Sequence, residues 1–325
     1  MTNHTAPRRL CLMGAGILLM ATSSLVWAQS DKPLRLIVPL TTGSTVDTVA
    51  RSLSNPLAQA SGHPVVVENL PGAGGMTGTA QMVRAPKDGL TLALTSSNHV
   101  INPGIYKKPL FDALKDITPI TVVGTVPLVL VVSPSVPAKN AQELIALLKA
   151  RKGEMNIGSA GNGSVLHLAA ELFASEAGVD ITHVPYKGTG PLVTDLLGGQ
   201  VQAGFVSVTA AAPHIKAGKL RAIGTSTKQR SAVLPDVPTL AESGLPNYAF
   251  DAWLAVIGPA DLPKATVDKL FQDVKKAVSS TEVQQAFAAQ GIATIVSTPE
   301  QTVGFFKAEL DKHLALVKKS GATAD

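Results

Sequence analysis

Short apolar segments alternate with amphipathic ones along the chain, and this alternation is typical of an α/β fold. An apolar run at 35–39 predicts a strand, and the apolar residues of Val46–Leu57 recur at helical spacing. Further strand patterns at 64–68 and 90–94 flank a predicted helix at 76–84. Because strands and helices alternate, we expect a parallel sheet with helices on its faces.

The same order of elements returns after residue 150. Strand patterns occupy 155–158, 181–184 and 201–206, and helical patterns occupy 165–175 and 191–197. The residues themselves do not repeat, so we interpret the agreement as structural quasi-symmetry. It predicts two α/β lobes of matching topology, each a mainly parallel sheet flanked by helices.

Two segments are candidates for the connections between the lobes. The segment Ile117–Val132 is apolar, β-branched and interrupted by Pro127, which suits a strand that passes from one lobe to the other. A return crossing is expected at 250–257, and helical patterns at 263–278 and from Pro299 onward form the C-terminal end. The predicted division is a leader at 1–28, a first lobe at 30–126 with 250–325, and a second lobe at 127–249.

Residues 1–28 have the features of a secretory signal peptide. Arg8 and Arg9 precede an uncharged apolar run at 10–26, and Ala28 supplies the small residue that a signal peptidase prefers. The pattern predicts export to the periplasm with cleavage near Ala28. An uncleaved membrane anchor is the alternative, since the apolar run nearly reaches spanning length.

The composition suits a folded protein, and its mildly basic balance suits an anionic ligand or a solvated surface. Of 325 residues, 45% are hydrophobic and 16% charged, which supplies a core and is unlike a disordered chain. Removal of Arg8 and Arg9 lowers the formal net charge from +5 to +3, the basic residues are dispersed, and 4% are aromatic, which argues against nucleic-acid binding. Cys11, the only cysteine, would leave with the leader, so disulfides, thiolate nucleophiles and Cys-based zinc sites are excluded.

Two loops that follow predicted strands carry the candidate chemistry. Ligands of open parallel sheets bind beyond the carboxyl ends of the strands, where helix N-termini present backbone N–H groups. Loops 41–45 and 159–164 add hydroxyl groups, and a cleft between the lobes would bring both loops to one anion. The alternative is that these hydroxyls only cap their own helices. The candidate ligand-binding residues are Thr41, Thr42, Gly43, Ser44, Thr45, Asp47, Ser96, Ser97, Asn98, Ser159, Gly161, Asn162, Gly163, Ser164 and Ser207.

Other polar residues allow more than one interpretation. Asp47 could favour a ligand ammonium group, orient its loop, or interact only with the helix dipole. The spacing of His167 and Glu171 could hold a metal but is more typical of a surface hydrogen bond. We predict no catalytic residue, metal or cofactor, because the sequence lacks the motifs of serine hydrolases, zinc peptidases and phosphate-binding loops.

Several ordered motifs carry a family resemblance that runs from about Pro33 to the C-terminus. The motifs are Arg35–Leu40 with Asp47 and Arg51, Val65–Gly75, His99–Pro103, Val184–Gly188, Asp195–Val201 and Leu234–Gly244. In these motifs the chain resembles the substrate-binding proteins of tripartite tricarboxylate transporters, the Bug receptors.

The resemblance implies a two-lobed Venus flytrap that binds a small mono- or dicarboxylate through backbone groups and bridging waters. It also implies integral-membrane transporter subunits as partners, and we expect a monomer. Ligand contacts carry over to 41–45, 95–98, 159–164 and the surroundings of Ser207. The family usually has Ala-Pro-Gly-Gly where this chain has Thr41–Ser44, so we expect a different loop conformation and ligand preference.

Two other function classes stay open at this point. A periplasmic sensor could use the same fold to report ligand occupancy to a membrane signalling partner. A periplasmic hydrolase or lyase would require an activated nucleophile or base, and the sequence offers no motif for one.

If the leader is cleaved as predicted, the protein in the periplasmic fraction begins close to Gln29. Intact-mass measurement of that fraction should show a chain without its leader. A periplasmic protein that retains the leader would contradict cleavage.

Overall fold

Three parallel strands form the centre of the first lobe. The computed structural model describes residues 1–2 and 32–323, so residues 3–28 of the predicted leader, with Cys11 and the cleavage site, lie outside the described residues. Strand β1 (Leu34–Val38) pairs in parallel with β2 (Val65–Asn69) and β3 (Thr91–Ser96). One helix follows each strand in turn: α1 (Thr45–Ser61), α2 (Met76–Val83), which is preceded by a 3₁₀ turn at Ala73–Gly75, and α3 (Asn98–Ile105).

The apolar stripe predicted for α1 is buried. Its members are at most 3% exposed and pack with the apolar face of β1 and with a helix from the C-terminal part of the chain. Full burial of an aliphatic side chain of this size contributes about 1.5–3 kcal/mol. The stripe therefore fixes α1 on the sheet and, with it, the loop before α1; its members are Val46, Val49, Ala50, Leu53 and Leu57.

The second lobe repeats this order of elements. The strand β4 (Ile117–Val132) and the helix α4 (Ala141–Ala150) lead into it. Strand β5 (Asn156–Ser159) then pairs in parallel with β6 (Thr182–Pro185) and β7 (Ala203–Ser207). The helices that follow these strands are α5 (Val165–Ala177), α6 (Thr189–Leu197) and α7 (Val208–Lys216).

The strand β4 belongs to both sheets. Its first part, up to Pro127, pairs antiparallel with β9 (Asp251–Pro259), which also pairs antiparallel with β3. From Leu128 onward it pairs antiparallel with β7 and with β8 (Arg221–Thr225). Each sheet is therefore mixed, with the predicted parallel strands on one side and the antiparallel connecting strands on the other.

A buried serine joins the two crossing strands where β4 changes sheets. The N–H of Leu128 donates to the hydroxyl of Ser226 at 3.0 Å, and the N–H of Ser226 donates to the carbonyl of Leu128 at 2.9 Å. The N–H of Phe250 donates to the carbonyl of Ser226, also at 2.9 Å. Both crossings thus meet at one residue, which suits the proposed lobe boundaries near 127 and 249.

The C-terminal segment packs on both lobes. It comprises α8 (Lys264–Val278), α9 (Thr281–Ala289), the short strand β10 (Ala293–Thr294) and α10 (Pro299–Ser320). Helix α10 begins with a capping box in which Thr298 and Gln301 bond each other's backbone N–H groups. It contacts α3 in the first lobe and α5 in the second. Within residues 32–323, no helix is long and apolar enough to cross a membrane.

A buried, uncharged histidine lies in the first turn of α3. The imidazole of His99 lies between the rings of Phe111 and Phe306, with ring centroids 5.5 and 5.6 Å away. Its Nε2–H donates to the carbonyl of Ala113 at 2.8 Å. Burial lowers the pKa of His99 to about 4, despite that hydrogen bond.

We expect His99 to make the protein less stable in acid. The unfolded chain takes up a proton near the ordinary histidine pKa of about 6.5, whereas the folded state resists protonation down to about pH 4. The free energy of unfolding should therefore fall as the pH drops through this window. Replacement by His99→Gln should make that slope shallower by up to about 1.4 kcal/mol per pH unit, as measured by urea unfolding at several pH values.

The matched control is His214→Gln, at the partly exposed end of α7. For this variant the free energy of unfolding should change with pH as it does in the parent. Equal slopes for the parent and the His99→Gln variant would contradict the assignment of His99 as a neutral buried group.

Candidate functional site

The two hydroxyl-rich loops have the same geometry in the two lobes. Ser44 caps α1, and its hydroxyl accepts from the N–H of Asp47 at 3.2 Å. Ser164 caps α5, and its hydroxyl accepts from the N–H of His167 at 3.2 Å. Both hydroxyls thus cap their own helices, as the alternative interpretation held. A cap of this kind engages only part of the first-turn N–H groups, so each helix still directs N–H groups out of its N-terminus.

In each loop the backbone N–H of a glycine donates a hydrogen bond to the side chain four positions later in the chain. The N–H of Gly43 donates to Oδ2 of Asp47 at 2.9 Å, and the N–H of Gly163 donates to Nδ1 of His167 at 3.0 Å. Both glycines have positive φ, +79° and +68°, a conformation that other residues rarely adopt. The quasi-symmetry of the fold therefore extends to the loop anchors, although one anchor is a carboxylate and the other an imidazole.

Asp47 orients the first loop as an ionised group. Its carboxylate is 3% exposed and pairs with the guanidinium of Arg51 at 3.0 Å. Burial acts to raise the pKa of Asp47, but the hydrogen bonds from Arg51 and Gly43 outweigh it and hold the pKa below its ordinary value. Of the roles considered for this residue, the contacts support the positioning of loop 41–45.

Two stacked histidines support the second loop. The rings of His167 and His183 are nearly parallel, at 9°, with centroids 3.7 Å apart. Nε2 of His183 lies 2.6 Å from the hydroxyl of Ser159, which also donates to the carbonyl of Gly161. His167 is only 6% exposed, so the surface hydrogen bond expected for it is wrong: its contact with Glu171, at 3.3 Å, is made from the interior of the lobe.

Helix N-termini of the two lobes meet in pairs. The hydroxyl of Thr45 on α1 donates to the hydroxyl of Ser207, the cap of α7, at 3.4 Å. The N–H of Val165 on α5 donates to Oδ1 of Asn98 on α3 at 3.2 Å. Each N-terminus carries a partial positive charge, so these contacts collect positive potential along the boundary between the lobes.

The lobes approach so closely beside α5 that only glycine fits there. A Cβ added to Gly163 would lie 2.6 Å from the side chain of Ile105, which belongs to α3 of the first lobe. This contact and the bond from Asn98 bring the second loop directly against the start of α3.

The remaining predicted residues differ in exposure. Ser97 is fully buried and its hydroxyl accepts from the N–H of Trp253 at 3.0 Å, which fastens the start of α3 to β9. Ser159 is fully buried as well. Ser96 and Gly161 are half-buried. The exposed members of the predicted set are Thr41, Thr42, Gly43 and Asn162.

Sequence reasoning did not single out one group of residues beside the candidate loops. Gly74, Gly75 and Asn102 line a narrow cavity with Ser96 and Asn98 at the carboxyl ends of β1 and β3. The signal was available, because the glycine-rich loop at 71–75 follows β2 at the same edge of the sheet. This cavity is too narrow to hold a water molecule.

Two other features of the described residues lie outside these loops. A larger concavity lies between α5 and α10, where Leu168, Leu316 and Lys319 line it, and it does not include the candidate loops. Among residues 32–323, no group of three or more His, Cys, Asp or Glu side chains is arranged to hold a metal ion.

Comparison with known proteins gives a consistent result. A family model described as the tripartite tricarboxylate transporter family receptor, TctC, matches residues 49–322. Protein BugT of Bordetella pertussis is 39% identical over 293 residues, which cover 90% of this chain and 90% of BugT.

Two solved structures share the fold over nearly their whole length. R. palustris Rpa4515 with adipate is 30% identical, with a TM-score of 0.84 over 89% of this chain and 97% of that chain. MatC (Rpa3494) from Rhodopseudomonas palustris with bound malate is 30% identical, with a TM-score of 0.79 over 88% of this chain and 98% of that chain.

The two sheets that share β4 are therefore the two lobes of an α/β periplasmic binding protein fold. Extensive matches in sequence and in structure point to the same group of proteins. The chain belongs to the TctC family of tripartite tricarboxylate transporter receptors, the Bug proteins, which are periplasmic solute-binding proteins and not enzymes.

Proposed function

We propose that this protein captures a small mono- or dicarboxylate in the periplasm, after cleavage of its leader near Ala28, and delivers it to the membrane subunits of a tripartite tricarboxylate transporter. The observation that carries the proposal is the pairwise meeting of helix N-termini from opposite lobes, α1 with α7 and α3 with α5. Relatives with adipate and with malate support a carboxylate ligand.

Helix N-termini suit a carboxylate for two reasons. Their backbone N–H groups donate hydrogen bonds, and their dipoles favour negative charge. The guanidinium of Arg51 is paired with Asp47, so the positive potential of loop 41–45 comes from its backbone. A dicarboxylate has two charged ends, and the boundary offers two pairs of N-termini to receive them.

Entry of such a ligand requires the lobes to separate. The cavity next to Asn98 does not hold even one water molecule, and the lobes already touch at Thr45 and Ser207. Separation would occur about the crossing strands β4 and β9, which meet at Ser226. Closure on the ligand would then bring the N-termini of both lobes to the same carboxylate.

A negative charge placed in either loop should weaken binding without unfolding the protein. Ser44→Asp and Ser164→Asp keep a side chain that caps a helix well. The added carboxylate replaces a group at the proposed ligand boundary and repels the ligand. Loss of a charge-assisted hydrogen bond costs about 1.5–3 kcal/mol, so calorimetric titration should show an affinity about ten- to a hundredfold lower.

Two kinds of control separate charge from capping. Ser280 caps α9 in the same way, with its hydroxyl accepting from the N–H of Val283 at 3.3 Å, and lies outside both loops. Ser280→Asp should therefore bind like the parent, and Ser44→Ala and Ser164→Ala should lose less affinity than the aspartate variants. If both aspartate variants fold normally and bind as tightly as the parent, the anion does not lie between these loops.

A carboxylate ligand should stabilise the protein and make it more compact. Binding to the folded state alone adds about 2.7 kcal/mol at a hundredfold excess over Kd, so a thermal-shift screen of aliphatic and aromatic carboxylates should identify the ligand. Small-angle scattering with the identified compound should then show a smaller radius of gyration. A screen that responded only to sugars or metal ions would overturn the carboxylate assignment, and equal radii would overturn closure.

A further inference from the structure

The second loop depends on His167, which can accept a hydrogen bond from Gly163 only while its Nδ1 carries no proton. A backbone N–H only donates, so the bond from Gly163 at 3.0 Å requires Nδ1 of His167 to be free of a proton. The proton of the neutral ring is then on Nε2, which lies 3.3 Å from Oε1 of Glu171. A second proton on His167 would place two donors face to face and break the bond to Gly163.

His183 extends this support to the other end of the loop. With its proton on Nε2, the ring donates to the hydroxyl of Ser159 at 2.6 Å, and that hydroxyl donates to the carbonyl of Gly161 at 3.0 Å. The N–H of Gly161 donates back to the same hydroxyl at 3.2 Å. Loop 159–164 is thus held at its start by His183 and at its end by His167.

The stacked pair cannot hold two positive charges at a centroid distance of 3.7 Å. Burial, and secondly the proximity of His167, lower the pKa of His183 to about 4, against an opposing effect of Glu171. Glu171 on α5 contacts the pair, and Lys319 on α10 lines the same concavity as Glu171. The negative charge of Glu171 favours a proton on His183.

The first lobe provides the contrast. Its glycine donates to the carboxylate of Asp47, whose pKa lies below the ordinary value, so this anchor keeps its acceptor in mild acid. One lobe therefore has an anchor that does not titrate near neutral pH, and the other has an imidazole in the same structural position.

We propose that His167 is a positioning residue of the ligand site, which holds loop 159–164 through the N–H of Gly163 with the support of His183, and that its protonation weakens carboxylate binding by the second lobe. The inference rests on the proposed function, because it assigns His167 to the loop that would bind the carboxylate.

The first test uses the ligand-free protein and does not depend on the proposed function. Nitrogen NMR of the histidine rings at pH 7.5 should show His167 with its proton on Nε2. As the pH is lowered to 4.5, the amide signal of Gly163 should move together with the ring signals of His167. A proton on Nδ1 at pH 7.5, or an amide signal of Gly163 that ignores the titration of His167, would overturn the positioning role.

The second test measures the affinity for adipate and for malate by calorimetry at pH 7.5 and 5.0. His167→Asn keeps an acceptor that does not titrate, so it should bind at pH 7.5 within about threefold of the parent and lose less affinity at pH 5.0. His167→Leu has no acceptor and should bind about three- to tenfold more weakly than the parent at pH 7.5. His214→Asn should bind both compounds with the affinity of the parent at pH 7.5 and at pH 5.0.

The parent and the variants are compared at the same pH, so any effect of protonation of the ligand itself is the same for all of them. If the parent and His167→Asn lose the same affinity on acidification, or if acidification strengthens binding by the parent, the proposal is wrong. If neither compound binds while the NMR result holds, the carboxylate assignment fails for these probes and the positioning of the loop by His167 stands.

Discussion

The first N–H groups of a helix have no partner within that helix, and the proposed anion site depends on this constraint. The fold begins α1, α3, α5 and α7 directly after the parallel strands β1, β3, β5 and β7, at the carboxyl edges of the two sheets. Contacts between Thr45 and Ser207 and between Asn98 and Val165 then set these N-termini against one another across the lobes. The proposed site is therefore built around backbone donors, and these two contacts involve hydroxyl and amide groups.

The two lobes are joined through adjacent strands. A single strand, β4, is part of both sheets, and β9 returns beside it, so the lobes are joined through two adjacent strands that Ser226 links. The apolar core of each lobe reaches this crossing, with Val126 in the first lobe and Leu128 and Phe250 in the second, and helix α10 contacts both lobes. The proposed separation of the lobes would take place at this joint, with each sheet keeping its own strand pairing.

The two loops show how one geometry is reached with different chemistry. Each loop needs an acceptor for the N–H of its glycine, and the residue four positions along supplies it from the first turn of the helix. A carboxylate at this position requires a cation, and Arg51 supplies one in the first lobe. An imidazole requires burial in a neutral state and a partner for its other nitrogen, which His183 and Glu171 provide by stacking and by contact. The lobes thus share a loop geometry that depends on a carboxylate in the first lobe and on an imidazole in the second.

The sequence by itself determined the strand-helix alternation of the two lobes, because apolar periodicity follows directly from which face of a strand or helix is buried. It predicted β4 with its observed bounds and both capped loops. No prediction covered α3, α4, α7, α9, β8 or β10, and in α3 the helical pattern is interrupted by Pro103 and Gly104. Only the tertiary structure decided which groups meet across the lobes, such as Asn98 with Val165, and that His167 is buried against His183. No local pattern encodes these contacts, because they depend on how the two lobes pack and on how helices pack on the strands within each lobe.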